Sequence, residues 1–157
     1  MKHAETVTFG SSGLDRAAEL RGNAQALAEA RAAASTRCIL LWRSKPLMGG
    51  ADRDSLVRLP MDHPVLSHSK SSPIYLGRED DGHCFAYDIS SWKPDVLDDA
   101  QLGSFLDQSE QTHPLLSPDM AFCEMRVIMT RLGPRDAELA ATAKAVLSWH
   151  RSHRFCA

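Results

Sequence analysis

Helix-forming residues dominate the first part of the chain. Residues from about Leu14 to Ala34 are rich in Ala, Leu, Glu, Arg and Gln, which have high intrinsic helix propensity. Gly22 and Asn23 interrupt this stretch and predict a break into two helical pieces. We therefore expect an N-terminal helical segment over residues 1–36.

Short apolar runs in the middle of the chain predict β-strands. "RCILLWRSKPLM" predicts a strand, a turn at Lys45-Pro46 and a short return strand, and "LVRLP" predicts one brief strand. "PIYLGREDDGHCFAYDIS" is the clearest hairpin. Its strands, Ile74–Leu76 and Cys84–Ile89, flank the polar turn "REDDG". Residues 90–117 are punctuated by prolines and predict mostly loop.

Two consecutive helices are predicted at the C-terminal end. Ser117 and Pro118 match an N-cap followed by proline, so the first helix is expected to continue to Gly133. Pro134 opens the second helix, whose first turn is acidic and so complements the helix dipole. Its apolar residues recur at spacings of three and four: Leu139, Ala143, Val146, Leu147 and His150.

These elements predict an α/β (α+β) fold in which a small mixed β-sheet packs against the two C-terminal helices. The length of 157 residues fits one domain with a substantial core. The side chains expected in that core are Phe122, Met125, Ile128, Met129, Val146 and Trp149.

Composition narrows the class of protein. Hydrophobic residues make up 43% and charged residues 24%, as in ordinary globular domains. The net charge of -2 disfavours a dedicated nucleic-acid binder. No stretch approaches the roughly 20 apolar residues of a membrane span, and "MKHAETVTFGSSG" lacks an apolar signal core. We therefore expect a cytoplasmic protein that does not bind membranes.

Common catalytic motifs are absent from the sequence. It contains no G-x-x-x-x-G-K-[ST] phosphate loop, no H-E-x-x-H zinc helix and no G-x-S-x-G nucleophile elbow. Magnesium-dependent phosphate chemistry needs several converging carboxylates, yet no two glutamates are adjacent. The acidic run "REDDG" is interpreted as a solvated turn. The residues thus offer no catalytic set.

The four cysteines are widely scattered, which is typical of free thiols in a reducing compartment. Three of them, Cys38, Cys84 and Cys123, lie in apolar runs and are expected to be buried, Cys123 on a helix. Cys156 lies outside any apolar pattern, in the tail "SWHRSHRFCA". It is the candidate metal ligand of this sequence.

The residues of this tail are compatible with two different metal sites. His150, His153 and Cys156 could share one site, although their steps of three place them only loosely on one helix face. The simpler interpretation of the histidines is a packed His150 and an exposed His153 at a favourable helix end. Alternatively, Cys156 is the first ligand of a C-x-x-C knuckle whose second cysteine would follow Ala157. Structural zinc requires four ligands, so that interpretation needs a longer chain.

A DNA-binding helix-turn-helix is a third interpretation of the C-terminal helices. From Pro118 to Ala157, basic residues exceed acidic ones only by six to four. The start of the second helix carries Asp136 and Glu138, which would face phosphate unfavourably. We therefore expect ordinary helix packing and no binding to DNA.

The C-terminal residues resemble a known family. Phe122, Arg126, "DAELAATAKA", Trp149-His150 and "HRFC" are similar to the segment that joins the N-terminal domain of Nudix-family NADH pyrophosphatases to their zinc ribbon, which runs into H-x-F-C-x-x-C-G. "TFGSSGLDRAAELR", "ILLWRSKPLM" and "IYLGREDDGHCFAYDISSW" resemble upstream parts of that family. The resemblance spans nearly the whole chain, and its helix-to-cysteine tail is the specific part.

This resemblance implies a rudimentary, non-catalytic Nudix-like domain over residues 37–153, with residues 154–157 starting a truncated zinc ribbon. Cys156 would be the first of four structural Zn²⁺ ligands. A following Nudix domain, absent here, would use glutamates and Mg²⁺ or Mn²⁺ to cleave NADH or NAD⁺ to nicotinamide mononucleotide and AMP, and some members act on NAD-capped RNA. The family also implies a homodimer.

We therefore expect an inactive N-terminal fragment of an NAD(H) diphosphatase, with no catalytic or cofactor-binding residue of its own. The alternative is a standalone Nudix-like interaction or dimerisation module without catalysis.

Overall fold

The computed structural model describes residues 12–80, 82–95 and 108–153, which form a mixed α/β fold as predicted. Seven strands and three α-helices lie in these residues. The strands are β1 (Arg37–Trp42), β2 (Lys45–Gly49), β3 (Ser55–Leu56), β4 (Leu59–Pro60), β5 (Ile74–Glu79), β6 (Gly82–Asp88) and β7 (Ala121–Phe122). The helices are α1 (Ala24–Ala32), α2 (Met125–Ile128) and α3 (Pro134–Ser152), and two 3₁₀ turns cover Ala18–Leu20 and Pro64–His68.

The strands form one mixed sheet in the order β3-β2-β1-β6-β5, with β4 paired to β1 and β7 paired to β2. Strands β1 and β6 run parallel, and the other named pairs are antiparallel. β1 lies in the middle, so the whole run "CILLW" is buried. This explains why its sequence is continuously apolar and not alternating.

Side chains of the central strands alternate between two apolar clusters on opposite faces of the sheet. One face packs against α2 and α3, and we call it the α3 face; it includes Ile39, Leu41, Met48, Leu76, Ala86, Ile128 and Leu139. The other packs against α1 and irregular segments, and we call it the aromatic face; it includes Leu40, Trp42, Leu47, Tyr75, Phe85, Tyr87 and Phe122.

The N-terminal prediction is partly confirmed. The chain breaks at Gly22–Asn23 as expected, and the Asn23 side chain accepts a hydrogen bond from the Ala26 amide (3.0 Å), which caps α1. Within residues 12–22, which precede that break, a 3₁₀ turn is the only helical element. Asp15 is held against β5 instead, because its carbonyl accepts a hydrogen bond from the Arg78 amide (2.7 Å).

The hairpin predictions hold, with shifted boundaries. The first turn lies at Arg43–Ser44 and not at Lys45-Pro46, because Trp42 pairs directly with Lys45. The predicted brief strand "LVRLP" becomes two, β3 and β4, which pair with different partners. β5 and β6 extend further into the second turn than expected.

Two consecutive C-terminal helices form as predicted, but the first is much shorter than the predicted span from Ser117 to Gly133. Ala121 and Phe122 form β7, which pairs with β2, and the Cys123 amide donates to the Pro46 carbonyl. Ala121 and Phe122 are fully buried. A paired β-strand therefore accounts for this apolar run better than a helix with one apolar face. Only α2, four residues long, is helical here, and Cys123 is buried but lies outside it.

Helix α3 is confirmed, and so is half of the predicted core. Phe122, Met125 and Ile128 are buried, whereas Met129 and Val146 are half-buried. Trp149 is 47% exposed, so its predicted burial is wrong. Leu147 points into the core, and a residue two positions later lies about 200° around a helix. No described helix has the length and apolarity needed to span a bilayer.

Candidate functional site

The predicted metal ligand, Cys156, lies outside the described residues, so its surroundings stay a prediction. The helix that leads to it is described through His153. His150 and His153 are both exposed, which contradicts the expected packing of His150. The Trp149 ring stacks on His153 (5.1 Å between centroids) and meets His150 edge-on (5.4 Å). The end of α3 therefore presents an exposed aromatic and histidine cluster.

The first turn of α3 is fixed to the sheet by a charge network. The Asp136 carboxylate accepts hydrogen bonds from the Leu56 amide and from Arg58, both 2.8 Å. Arg58 also donates hydrogen bonds from two of its nitrogens to the Glu79 carboxylate (2.8–3.1 Å). Hydrogen bonding to Glu79 raises the pKa of Arg58 despite the opposing effect of burial, and Asp136 raises it further. These charges join β5 to α3.

A second network ties the N-terminal segment to α3. Glu138 is buried, and its carboxylate accepts hydrogen bonds from Ser12 and from Arg16 (2.6 Å). Burial alone would raise the pKa of Glu138, but the bonds from Ser12 and Arg16 outweigh it and lower that pKa. The acidic residues predicted at the start of α3, Asp136 and Glu138, thus both accept hydrogen bonds from other parts of the fold. Both acids are occupied with structural contacts.

The described residues offer no preformed metal centre. Among residues 12–80, 82–95 and 108–153, no group of three or more His, Cys, Asp or Glu side chains could hold a metal ion. Cys38, Cys84 and Cys123 are buried, as predicted, and burial raises the pKa of each thiol. A raised thiol pKa disfavours the thiolate that binds zinc. Cys156 would have to find its fellow ligands elsewhere.

A histidine and two tryptophans form a second candidate site on the aromatic face. The Trp92 and His113 rings lie 4.2 Å apart, and His68 is 5.2 Å from His113. Trp42 packs edge-on against Trp92 at 5.8 Å, and its indole N–H donates to the Trp92 carbonyl (3.1 Å). Trp92 and His113 line a cleft of about 480 Å³. Two loop segments are thereby brought together beside the sheet.

His113 has an unusual hydrogen-bonding state. It is only 4% exposed, and its Nδ1 accepts a hydrogen bond from the Leu115 amide (3.1 Å). In a neutral imidazole the other nitrogen, Nε2, then carries the proton. That atom is buried and has no hydrogen-bond partner among the described residues. Burial, and then the neighbouring His68 and His63, lower the pKa of His113 to about 4.

Sequence reasoning missed this site because its residues lie in loops. Trp92 and His113 belong to the 90–117 stretch, which was predicted only as loop. Aromatic and histidine side chains there have no periodic pattern that predicts burial. The signal that could have found them is the presence of tryptophan and histidine in loops otherwise built of Ser, Pro and Asp, since loops held by a rigid scaffold often carry function.

Comparison with known families decides the fold family. A family model described as the NADH pyrophosphatase-like rudimentary NUDIX domain matches residues 35–149, most of the chain. The chain belongs to this family. The rudimentary NUDIX domain therefore comprises the whole sheet, α2 and nearly all of α3, and it includes both Trp92 and His113.

A human protein shares part of the sequence. The chain is similar to the mitochondrial NAD(P)H pyrophosphatase NUDT13 of Homo sapiens, with 47% identity over 36 residues. That segment is 23% of this chain and 10% of the human protein. The chain thus spans only a tenth of the length of the curated relative that it matches, and the likeness concerns one segment.

Proposed function

We propose that this rudimentary NUDIX domain is the non-catalytic N-terminal domain of an NAD(H) diphosphatase. The full-length enzyme would hydrolyse the pyrophosphate of NADH or NAD⁺ to give nicotinamide mononucleotide, in its reduced or oxidised form, and AMP. The family match over residues 35–149 carries this proposal. The likeness to a human NAD(P)H pyrophosphatase supports it.

The chemistry of the described side chains fits a supporting domain. Pyrophosphate hydrolysis by a metal-dependent enzyme needs carboxylates that converge on Mg²⁺ or Mn²⁺. Here Asp136 and Glu79 are paired with Arg58, and Glu138 with Arg16. The domain's own residues instead hold the sheet, the N-terminal segment and α3 together. In this proposal α3 acts as a rigid connector to the rest of the enzyme.

Activity assays test this division of labour. The 157-residue chain, incubated with NADH or NAD⁺ and Mg²⁺ or Mn²⁺, is expected to give no nicotinamide mononucleotide and no AMP by chromatography. The full-length protein is expected to give both. Products from the chain alone would contradict the non-catalytic assignment. If the full-length protein hydrolyses neither NADH nor NAD⁺, the diphosphatase assignment is contradicted. NAD-capped RNA, assayed in parallel, would show whether it is also a substrate.

We further propose that Cys156 is the first ligand of a structural Zn²⁺ site in the full-length protein. Helix α3 ends at Ser152, four residues before Cys156, and its last residues are exposed. Full-length Cys156→Ser is expected to lose bound zinc, measured by elemental analysis. The matched variant Cys123→Ala, which removes a buried thiol far from that tail in sequence, should keep it. Retained zinc in Cys156→Ser would refute the assignment.

A standalone interaction module is the second candidate, and the exposed Trp149 favours it. Both candidates expect an inactive chain, but they differ in what the gene encodes. The diphosphatase proposal expects the reading frame to continue after codon 157. It should encode the rest of the cysteine knuckle (x-Cys-Gly) and, further on, a glutamate-rich Nudix box. The module proposal expects a stop codon there. A homodimer, proposed for either case, is tested by analytical ultracentrifugation.

A further inference from the structure

The cleft beside Trp92 and His113 has the dimensions of a small-molecule site. Its volume of about 480 Å³ lies within the range of roughly 300–1,000 Å³ found for ligand pockets. The residues that line it include Trp92, His113, Gln111, Lys93 and Asp95. A few polar groups around an aromatic wall are typical of sites that recognise flat organic rings.

One polar atom of a residue that lines this cleft lacks a hydrogen-bond partner among the described residues. The Nε2–H of His113 is buried without an acceptor among the described residues. Buried donors are nearly always satisfied, because an unmet donor loses its hydrogen bonds to water and gains nothing in return. The other ring nitrogen is already fixed by the Leu115 amide, so the ring cannot turn over to resolve this without losing that bond.

Trp92 supplies a wall for a planar ligand. Its side chain is half-buried, and Trp42 contacts it edge-on (5.8 Å) and donates its indole N–H to the Trp92 carbonyl (3.1 Å). A supported, partly exposed indole is the arrangement on which heterocyclic bases stack. Lys93 and Asp95 carry opposite charges on the same lining, so this cleft has no net attraction for a phosphate. The ring, and not a charge, is what the lining can recognise.

We propose that this cleft binds a planar nitrogen heterocycle of nucleobase size, stacked on Trp92 and accepting a hydrogen bond from His113 Nε2–H. Because Nε2 is covered in the unliganded arrangement, binding requires a small shift of the neighbouring side chains, and such rotamer changes are common on ligand entry. This site lies within the rudimentary domain itself. It does not depend on the proposed diphosphatase activity, which would reside in another domain.

The test is a titration of the 157-residue chain with adenosine, followed by NMR. Binding should shift the Trp92 indole N–H and the His113 side-chain Nε2–H signals along one saturable curve. Ribose 5-phosphate, which has the sugar and phosphate but no base, should cause no such shift. No saturable shift with adenosine, or an equal shift with ribose 5-phosphate, would overturn the proposal. Neither result bears on hydrolysis by the full-length protein.

Three variants separate the ring contacts from non-specific binding. Trp92→Leu removes the stacking wall and should weaken adenosine binding about tenfold or more. His113→Asn keeps an acceptor for the Leu115 amide but lacks Nε2–H, and it should weaken binding several-fold. Trp149→Leu removes an exposed tryptophan that does not line the cleft, and it should bind as the unmodified chain does. Backbone spectra establish that each variant is folded.

If His113→Asn fails to fold, Trp92→Leu alone still decides the outcome. Unchanged affinity in folded Trp92→Leu, or an equal loss in Trp149→Leu, would show that adenosine does not stack in this cleft.

Discussion

The two faces of the sheet are built in different ways. The α3 face is covered mainly by one 19-residue helix whose first turn is fixed by two charge networks. The aromatic face is covered by the nine-residue α1, two 3₁₀ turns and loops that carry Trp92 and His113. On the α3 face the buried carboxylate Glu138 has its partners, whereas on the aromatic face the buried Nε2 of His113 has none among the described residues.

This difference suggests a division between stability and binding. Regular packing with satisfied polar groups gives a face that is hard to open. Loops with aromatic side chains and an unmet donor provide a surface where a ligand can add contacts. Disruption of the α3 face should therefore cost the most stability, and disruption of the aromatic face should have its clearest effect on binding and pH response.

The largest expected effect is on the α3 face. Leu139 is fully buried in the cluster between α3 and the sheet. Leu139→Ala removes most of its side chain and leaves a cavity, so it should lower the free energy of unfolding by roughly 2–5 kcal/mol. Leu115→Ala, at a 49% exposed position, should change it by less than about 0.5 kcal/mol. Urea denaturation measures both, and similar losses would contradict the assigned core.

The next effect concerns the charges that join α3 to the sheet. Arg58→Ala would leave Glu79 and Asp136, both largely buried, without their cation. Since an unpaired buried charge is costly, we expect a loss of roughly 2–3 kcal/mol. The control is Arg78→Ala, whose pairs with Asp15 and Glu19 are far more exposed and should contribute much less stability than the pairs of Arg58. Equal losses would show that burial does not matter here.

The sequence predicts the α3 face better than the aromatic face. A proline start, an acidic first turn and the three-and-four spacing of Leu139, Ala143 and Leu147 identify α3 because these signals are local. The run "AFC" could not be assigned in the same way. Its strand forms only through pairing with β2, a contact with residues more than 70 positions earlier, and local propensity carries no information about that partner.

The candidate sites show the same limit. Cys156 could be singled out from the sequence because it lies outside any apolar run, whereas the other three cysteines lie within one. His113 could not, since its burial depends on Trp92 and His68, which come from separate loops. The predicted burial of Trp149 shows the same limit, because that residue is 47% exposed. Its angular position on α3, two residues past Leu147, was the better guide.

Acidification should weaken the aromatic face through His113. The pKa of this group is lowered to about 4 in the folded chain, against about 6.5 when unfolded. Above pH 6.5 both states are neutral and no effect is expected. As the pH falls from 6.5 to 4, the unfolded state binds a proton that the folded state does not, so the free energy of unfolding declines, by about 3 kcal/mol at most. Below pH 4 this contribution levels off.

Urea melts between pH 7.5 and 4 measure this decline. His113→Asn has no group that titrates at this position and should show a flatter profile between pH 6.5 and 4.5. Parallel profiles for the two proteins would show that His113 does not cause the decline.

The smallest expected effect is at the exposed end of α3. Trp149 contacts His150 and His153 but is 47% exposed, so Trp149→Ala should cost less than about 1 kcal/mol in the 157-residue chain. This is well below the roughly 3–5 kcal/mol expected for a buried tryptophan. If this end of α3 supports a following segment, the same variant should destabilise the full-length protein more than the isolated chain. Denaturant melts of both proteins measure the difference, and an equal, small loss in each would leave Trp149 with no packing partner beyond its two histidines.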